Sequence, residues 1–567
     1  MRLRRKSVGM VALCIAASGG ASGGPQESSA RRVEVPADPF IDARVRLSSD
    51  GTAEVELDVP LAWYRDDLAF VELAFRDVGL RGELTLASYV RSAHTRGAAL
   101  PLRKEHPGAR YVAAYHVVPG VHEAEPANGV DGVSHPLDGG FCFIGSGLFP
   151  EGLQTPDGRR LSLPVRLLVE LVDPRLTLVT SLSRRGDILT AESLEELTEA
   201  VFYLAETVHT RSLDAAGAHI EFHSTSFDRD ALESSVQLTR RTLETAHTAL
   251  GLPAGDSHRY FQIFLEAHPT RRTEGGVLGS TVMILSPDAP SGRAMEADGA
   301  VIVHELLHLW NRGTPMWVGE GITRYLEILF RAHLDGLVEA QALSLLLATS
   351  AAHAALRQGP IQEAAGLEAY EGGAMVAFCL DAFLRKRDTS LFALHRDVRR
   401  SLGMTSSIDQ AAIRARLTVL DPELATALDR WVTSDEPDFR PCFEAAGFEA
   451  SSVSHRGYTA RALAVDVLGV TGYATQTPEI LGVSEGSRFQ PHDRILRVEG
   501  IPVVLISAIE PILGQISSGE AEIELERSGE ILTVALPLPR LRAEDRPARQ
   551  TVVARSRPNE RFLTGWD

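Results

Sequence analysis

Polar and apolar residues alternate along much of the first third of the chain. Ala53-Glu54-Val55-Glu56-Leu57-Asp58-Val59 and the run from Leu163 to Leu171 are the clearest cases, with Ser49-Asp50-Gly51 and Pro156-Asp157-Gly158 as turn signals between such runs. A period of two puts one side of each run in a core and the other in water, so residues 32–180 are predicted to form an antiparallel β-sandwich domain. Near Ser193 the period lengthens. Ser193 and Glu196 have the spacing of a capping box, and Leu197, Val201 and Leu204 fall on one helical face, which predicts a helix. The pattern next predicts a strand over Ala218–His223, a helix over Asp230–Leu250, and strands over Tyr260–Leu265 and Thr281–Leu285, together a small mixed lobe. Helical periods then run from Ala297 to about Trp431, broken at Gly313-Thr314-Pro315, Gly359-Pro360 and Gly403. Residues 436–457, rich in Pro, Ser and Gly, read as a linker. Strand signals return over 458–540 around one helical segment near Leu505 to Gln515, and the Arg- and Pro-rich residues 541–567 read as a flexible tail. The fold class is therefore multidomain α+β.

Composition narrows the function. The 567 residues are 44% hydrophobic and 23% charged, enough for about three or four ordinary domains. Lys plus Arg number 57 against 75 Asp plus Glu, a formal charge of −18, which disfavours a nucleic-acid partner because phosphate binding depends on basic side chains. Met1-Arg2-Leu3-Arg4-Arg5-Lys6, the apolar run Val8–Ala17 and the small residues to Gly24 read as a signal peptide over residues 1–24. The chain is accordingly expected to be exported, to a periplasmic or extracellular location. That apolar run is too short to span a bilayer, which takes about twenty residues, and no later stretch is long enough, so the mature chain is expected to have no membrane span. Leu13 stands before Cys14, where a lipoprotein signal has a small residue. The mature chain keeps Cys142, Cys379 and Cys442, which allow at most one internal disulfide; Cys379, in an apolar helical run, reads as a small buried hydrophobe.

The candidate chemistry lies in Gly299-Ala300-Val301-Ile302-Val303-His304-Glu305-Leu306-Leu307-His308-Leu309-Trp310. His304, Glu305 and His308 are the only polar side chains of an otherwise apolar helix, and burying them unpaired would cost on the order of several kcal/mol. Two His four residues apart project from one side of a helix and reach one zinc, leaving the intervening Glu beside the metal's water: the H-E-x-x-H pattern of zinc hydrolases. A catalytic zinc takes three protein ligands and keeps one position open. Glu320, on the apolar helix that opens with Trp317-Val318, is expected to be the third; the alternative is a plain helix-start carboxylate. Glu327 reads as a surface group or one that supports a ligand from outside, and Asp381 as a local cap or ion-pair partner without a role.

The runs His304–Asn311 and Trp317-Val318-Gly319-Glu320-Gly321-Ile322-Thr323-Arg324-Tyr325, with Tyr370-Glu371-Gly372-Gly373 and the helix ending in Leu380-Asp381, resemble the glycyl aminopeptidase family of gluzincin metallopeptidases. The resemblance implies a β-rich N-terminal domain, a thermolysin-like zinc metallopeptidase domain over 181–435 and a C-terminal PDZ domain, with one Zn2+ per chain. It also implies that Tyr370 hydrogen-bonds the oxyanion; a core or rim aromatic is the other reading of that residue. Gly486–Val503 and the hairpin around Ser528-Gly529 look like PDZ elements, expected either to capture a peptide ligand by strand addition or to serve as a packing domain.

The expected activity is hydrolysis of a peptide or protein substrate, with Glu305 as general base and aminopeptidase action as one form of it. Two features depart from the family. Eleven residues, 309–319, separate His308 from Glu320, a trimmed loop. Gly275-Gly276-Val277-Leu278-Gly279-Ser280 has no carboxylate after its glycines to hold a free amine, and Glu274 precedes them. These departures keep two alternatives in view: a peptide-binding scaffold whose metallopeptidase lobe has weakened turnover, and a zinc hydrolase of non-peptide bonds.

Overall fold

A computed structural model describes most of residues 40–554. Outside the description lie residues 1–39 and 555–567 and, internally, chiefly 61–69, 75–81, 93–98, 104–109, 120–133, 155–159, 252–259, 268–272, 287–291, 336–358, 456–469, 474–479, 504–508, 514–518 and 539–548, with shorter breaks elsewhere. The expected signal peptide therefore falls outside the described residues, as does most of the helix expected near 505–515.

The N-terminal part is rich in strands. An eight-stranded sheet runs, in spatial order, Ser183–Arg185, Ile188–Ala191, Val165–Leu171, Ile41–Leu47, Ala53–Pro60, Arg110–Pro119, Gly82–Leu86 and Tyr89–Ser92. Ile41, Ala43, Val45 and Leu47 are buried while the residues between them are not, as the period of two requires. The sheet is mixed, not antiparallel throughout: Ile41–Leu47 pairs in parallel with Val165–Leu171, and the long stretch of chain between them makes such a crossover possible.

The expected helix after Ser193 is much shorter than its apolar spacing suggested. Ser193 Oγ accepts from the Glu196 N–H at 3.1 Å, but helix α1 (Leu194–Thr198) ends at once, and Val201–Ala205 is a strand between Gly140–Ile144 and Thr177–Thr180. All five residues of that strand are buried. Leu197, Val201 and Leu204 do match a helical face, yet Val201-Phe202-Tyr203-Leu204-Ala205 is also a continuous apolar run of the kind that suits a strand covered on both faces. Strands on both sides of residue 180 thus pair with one another.

The central lobe has a five-stranded sheet in the order His209–Ala215, Ala218–Ser224, Tyr260–Ala267, Thr281–Ser286, Glu274–Leu278. Its Ile220, Phe222, Phe261, Ile263, Val282 and Ile284 face helices α2 (Arg229–Leu250) and α3 (Ala297–Leu307) in one core. On the other face, Phe264, Met283 and Leu285 pack with Cys142, Val201 and Tyr203. Helix α2 starts where Asp228 accepts from the N–H groups of Asp230 and Ala231 and stops at Gly251, whose φ of 81° suits a residue without Cβ. Helices α4 (Ile322–Leu334), α5 (Leu367–Arg385), α6 (Leu391–Leu402), α7 (Gln410–Leu420) and α8 (Pro422–Thr433) complete the helical part.

Three further expectations are corrected. The segment read as a linker, 436–457, contains helix α9 (Arg440–Ala445) and the strand Ala450–His455. Cys442 of α9 is bonded to Cys379 of α5, so Cys379 is buried as a disulfide partner and not as a free thiol; among the described residues Cys142 is a free, buried cysteine. The segment read as a flexible tail supplies the strand Arg549–Ala554, antiparallel to Ala450–His455. Between them, Ile501–Pro502, Arg494–Val498, Glu520–Arg527 and Glu530–Pro537 form a four-stranded sheet over a small core of Ile480, Phe489, Ile495, Ile523 and Leu525.

Candidate metal centre

Beyond Asp298 in its first turn, helix α3 is apolar except at His304 and Glu305, both buried, and the less buried His308 follows in the turn at its end. Four-residue spacing brings the two imidazoles together on one side, edge to face with their ring centroids 4.8 Å apart. The third group arrives by an irregular route. Trp317–Gly321 forms a π-helical turn before α4, and Asn311 fixes it: its amide donates to the carbonyls of Val318 and Gly319, both at 2.9 Å, while Thr323 Oγ1 donates to Gly319 O at 2.6 Å. Glycine makes this turn possible. A Cβ on Gly319 would stand 2.6 Å from Gly313 O, and one on Gly321 would stand 2.3 Å from Gly373 Cα, so Glu320 sits between two positions that admit no side chain.

As a result, His304 Nε2, His308 Nε2 and Glu320 Oε2 lie 3.2 Å from one another in all three pairs. Two atoms that share a tetrahedral zinc at about 2.0–2.1 Å are about 3.3 Å apart, so the triangle fits such an ion. Two imidazole nitrogens facing each other beside a carboxylate also make poor neighbours without a cation between them. The distal nitrogens are held as metal ligation requires. His304 Nδ1 lies 3.1 Å from Glu327 Oε2, and His308 Nδ1 lies 3.3 Å from Asn311 O. Because these oxygens only accept, each ring keeps a proton on Nδ1, which leaves Nε2 as the atom that binds metal once it has no proton of its own.

The surrounding charges set the protonation of the metal-free centre. Burial opposes ionisation of Glu327, but Arg324, the hydrogen bond from His304 and Arg331 hold its carboxyl well below the usual range. Arg331 donates to it at 2.7 Å and Arg324 at 2.5 Å, and Arg324 also meets Glu371 at 3.4 Å. Burial likewise works against Glu320, and hydrogen bonds from both imidazoles pull its carboxyl far down. His304 is pushed up to about 10: burial lowers it, and the hydrogen bonds to Glu320 and Glu327 outweigh that. Glu305 is different. Burial raises its carboxyl, only partly countered by the two imidazoles. The strand Glu274–Leu278, at the edge of the sheet, passes directly over it: a Cβ on Gly275 would be 2.7 Å from Glu305 Cγ.

Tyr370 lies on α5, its ring stacked on that of His304 with centroids 5.6 Å apart and planes 17° from parallel. Gly373, three residues on, lets α5 approach the Glu320 turn, since a Cβ there would meet Trp317 O at 2.6 Å. The sequence-predicted residues His304, Glu305, His308, Glu320 and Tyr370 are thus brought together. Glu327, left open between surface and support, is buried on His304. Asp381 is a local partner: it accepts from Tyr325 Oη, Arg385 Nε and the Leu391 N–H. Arg324, Arg331, Asn311 and Thr323 received no role from sequence, though Asn311, Thr323 and Arg324 fall within the quoted runs. The side chain of Glu274 lies outside the described residues.

No family model and no curated protein matches the chain. Among solved structures it is similar to an aminopeptidase N family protein from Idiomarina loihiensis, with 14% identity over 93% of this chain and 100% of that one and a TM-score of 0.57. An M1 zinc metallopeptidase from Deinococcus radiodurans gives 15% identity over 71% of this chain and 96% of that one, TM-score 0.45. Legionella pneumophila aminopeptidase A in complex with aspartic acid gives 11% identity over 70% of this chain and 49% of that one, TM-score 0.44. The first likeness establishes a shared mixed α/β multidomain fold.

Proposed function

We propose that the chain is a zinc-dependent peptidase with His304, His308 and Glu320 as metal ligands and Glu305 as general base. The observation that carries this reading is the 3.2 Å triangle of ligand atoms next to a buried carboxylate that is not part of it. One divalent cation per chain, when bound, supplies the charge that acidifies water to a pKa of about 7 and polarises a carbonyl. Glu305, raised by burial, takes the proton from the attacking water and returns it to the leaving amine. Tyr370, beside His304, donates its hydroxyl to the developing oxyanion, a contribution whose loss costs roughly a hundredfold or more. Glu327, Arg324 and Arg331 keep His304 in the tautomer that binds metal.

Gly275, Gly276, Val277 and Leu278 of the strand over Glu305 bring no negative charge to hold a free amine. The reading is therefore peptide-bond hydrolysis, with aminopeptidase action as the finer alternative that a comparison of free and N-acetylated peptides separates. The C-terminal four-stranded sheet, in which Glu499 and Gly500 (φ 52° and 73°) make the tight turn between Arg494–Val498 and Ile501–Pro502, supports a PDZ-like module that takes a peptide along an edge. Export is supported by the Cys379–Cys442 disulfide, a bond that persists in oxidising compartments. The test is zinc content and peptide hydrolysis of the wild type beside Glu305→Gln. Zinc retained with activity lost supports the reading; unchanged hydrolysis refutes the assigned base, and wild-type protein that holds zinc, cleaves no peptide and still binds peptide leaves the scaffold alternative.

A further inference from the structure

The short span between His308 and Glu320 turns on Asn311, which touches both halves of the metal centre. Its backbone carbonyl lies 3.3 Å from His308 Nδ1, and its side-chain amide donates to Val318 O and Gly319 O in the turn that carries Glu320. Asn311 is fully buried. Any displacement of this residue therefore moves the imidazole and the carboxylate relative to one another, so the spacing of the ligands depends on what holds residues 310–312 in place.

Arg399, in the last turn of α6, reaches both neighbours of Asn311. Its Nε donates to Trp310 O at 2.8 Å and its Nη2 to Arg312 O at 3.2 Å. These carbonyls belong to the peptide groups just before and just after the one that carries Asn311 O, so one planar guanidinium fixes the backbone on either side of it. Arg399 is itself buried. Burial and the nearby Arg312 lower it only to about 10, so it is a cation at neutral pH, and charged donors make the stronger hydrogen bonds. Two further contacts tie down the same stretch. The Ile408 N–H donates to Arg312 O at 2.7 Å, beside the parallel pairing of Gly313–Thr314 with Ile408–Asp409, and the Arg312 side chain donates to Gly279 O, just past the strand over Glu305. Helix α6 is anchored separately by Arg396, which donates to Ala249 O in the last turn of α2.

We propose that Arg399 is a positioning residue for the metal centre: by holding the carbonyls of Trp310 and Arg312 it fixes Asn311, and through Asn311 it sets His308 Nε2 and Glu320 Oε2 at their 3.2 Å separation. The inference rests on the ligand set proposed above. It assigns to one remote side chain the work of keeping two ligands from different helices in register across a short connection. Lysine cannot replace it fully, because an ammonium is a point donor and lacks the fork that meets two carbonyls in one plane. Groups that hold metal ligands from outside in this way typically govern affinity by 10–100-fold.

The test reads the metal and not the reaction. Zinc affinity is measured by competition with a chelator, and coordination geometry by the visible absorption of protein loaded with Co2+, for the wild type, Arg399→Lys, Arg399→Met and Arg396→Lys. The expected result is zinc held about 10- to 100-fold less tightly in both Arg399 variants, more so in Arg399→Met, with the Co2+ band shifted or weakened. Arg396→Lys, on the same helix but bonded to α2, keeps the wild-type affinity and spectrum even if it melts lower. Arg399→Lys keeps the charge and most of the stem, so it reports on the fork even where Arg399→Met folds poorly. Arg399 variants that bind zinc like the wild type, that bind it less tightly with an unchanged Co2+ band, or that are matched by Arg396→Lys overturn the proposal and leave the metal reading standing. A wild type that takes up no zinc overturns that reading and this inference with it.

Discussion

Gly372 and Gly373 are adjacent residues in the middle of α5, yet replacing each by alanine is expected to have opposite effects. A Cβ on Gly373 would lie 2.6 Å from Trp317 O, 2.7 Å from Gly321 Cα and 3.1 Å from Trp317 Cα. All three are backbone atoms of the turn that carries Glu320, and none can rotate away. Restoring an ordinary contact of 3.4 Å requires a separation of 3.4 − 2.6 = 0.8 Å between α5 and that turn. Overpacking of this kind costs about 1–3 kcal/mol, and a misplacement near 1 Å at a catalytic constellation costs on the order of a hundredfold in rate. A Cβ on Gly372 meets only the side chain of Ile361, at 3.4, 3.6 and 3.8 Å. There the alanine gains its helix preference of about 0.8–1.0 kcal/mol with nothing displaced. Steady-state hydrolysis of a fluorogenic peptide, thermal melting and zinc competition with a chelator read the three consequences together. Gly373→Ala should melt lower, hold zinc less tightly and lose roughly two orders of magnitude in kcat/KM, while Gly372→Ala melts no lower than wild type and keeps its activity. If the two variants behave alike, the close approach of α5 to the Glu320 turn does not govern the site.

Glu327→Ala removes the acceptor that fixes His304 and should weaken zinc binding about 10–100-fold, measured by competition with a chelator. Zinc binding should be coupled to proton release. With His304 raised to about 10, the metal-free site carries a proton at neutral pH, and the stability that proton confers is complete below the unfolded value near 6.5 and lost as pH rises through about 10. Titration calorimetry at pH 7.5 in two buffers of different ionisation enthalpy should therefore show about one proton released per zinc, and none released would contradict the charge arrangement. The Cys379–Cys442 bond spans a sequence separation of 63, for which loop closure gives about 4 kcal/mol in the chain-entropy view. Reduction should lower the melting temperature clearly; an unchanged melt would mean the bond does not tie α5 to α9 in solution.

What the sequence determined by itself is whatever local spacing dictates. His304, Glu305 and His308 are covalently neighbours on one helix, so a single period places two imidazoles together and a carboxylate beside them. The alternation around Ala53–Val59 and Ile41–Leu47 similarly carries its own inside and outside. Tertiary structure decided what depends on segments remote in the chain. Glu320 joins the imidazoles only because Asn311 holds a π-helical turn and glycines at 319, 321 and 373 remove the atoms that would keep backbones apart. Val201 and Leu204 satisfy a helical period and a strand equally well, and the edges of Gly140–Ile144 and Thr177–Thr180 decided for the strand by supplying hydrogen-bond partners on both sides. The same dependence explains why the segments read as linker and tail are paired strands, and why Cys379 met Cys442. Three cysteines allow several pairings, and only packing α9 against α5 brings one pair of sulfurs within bonding distance.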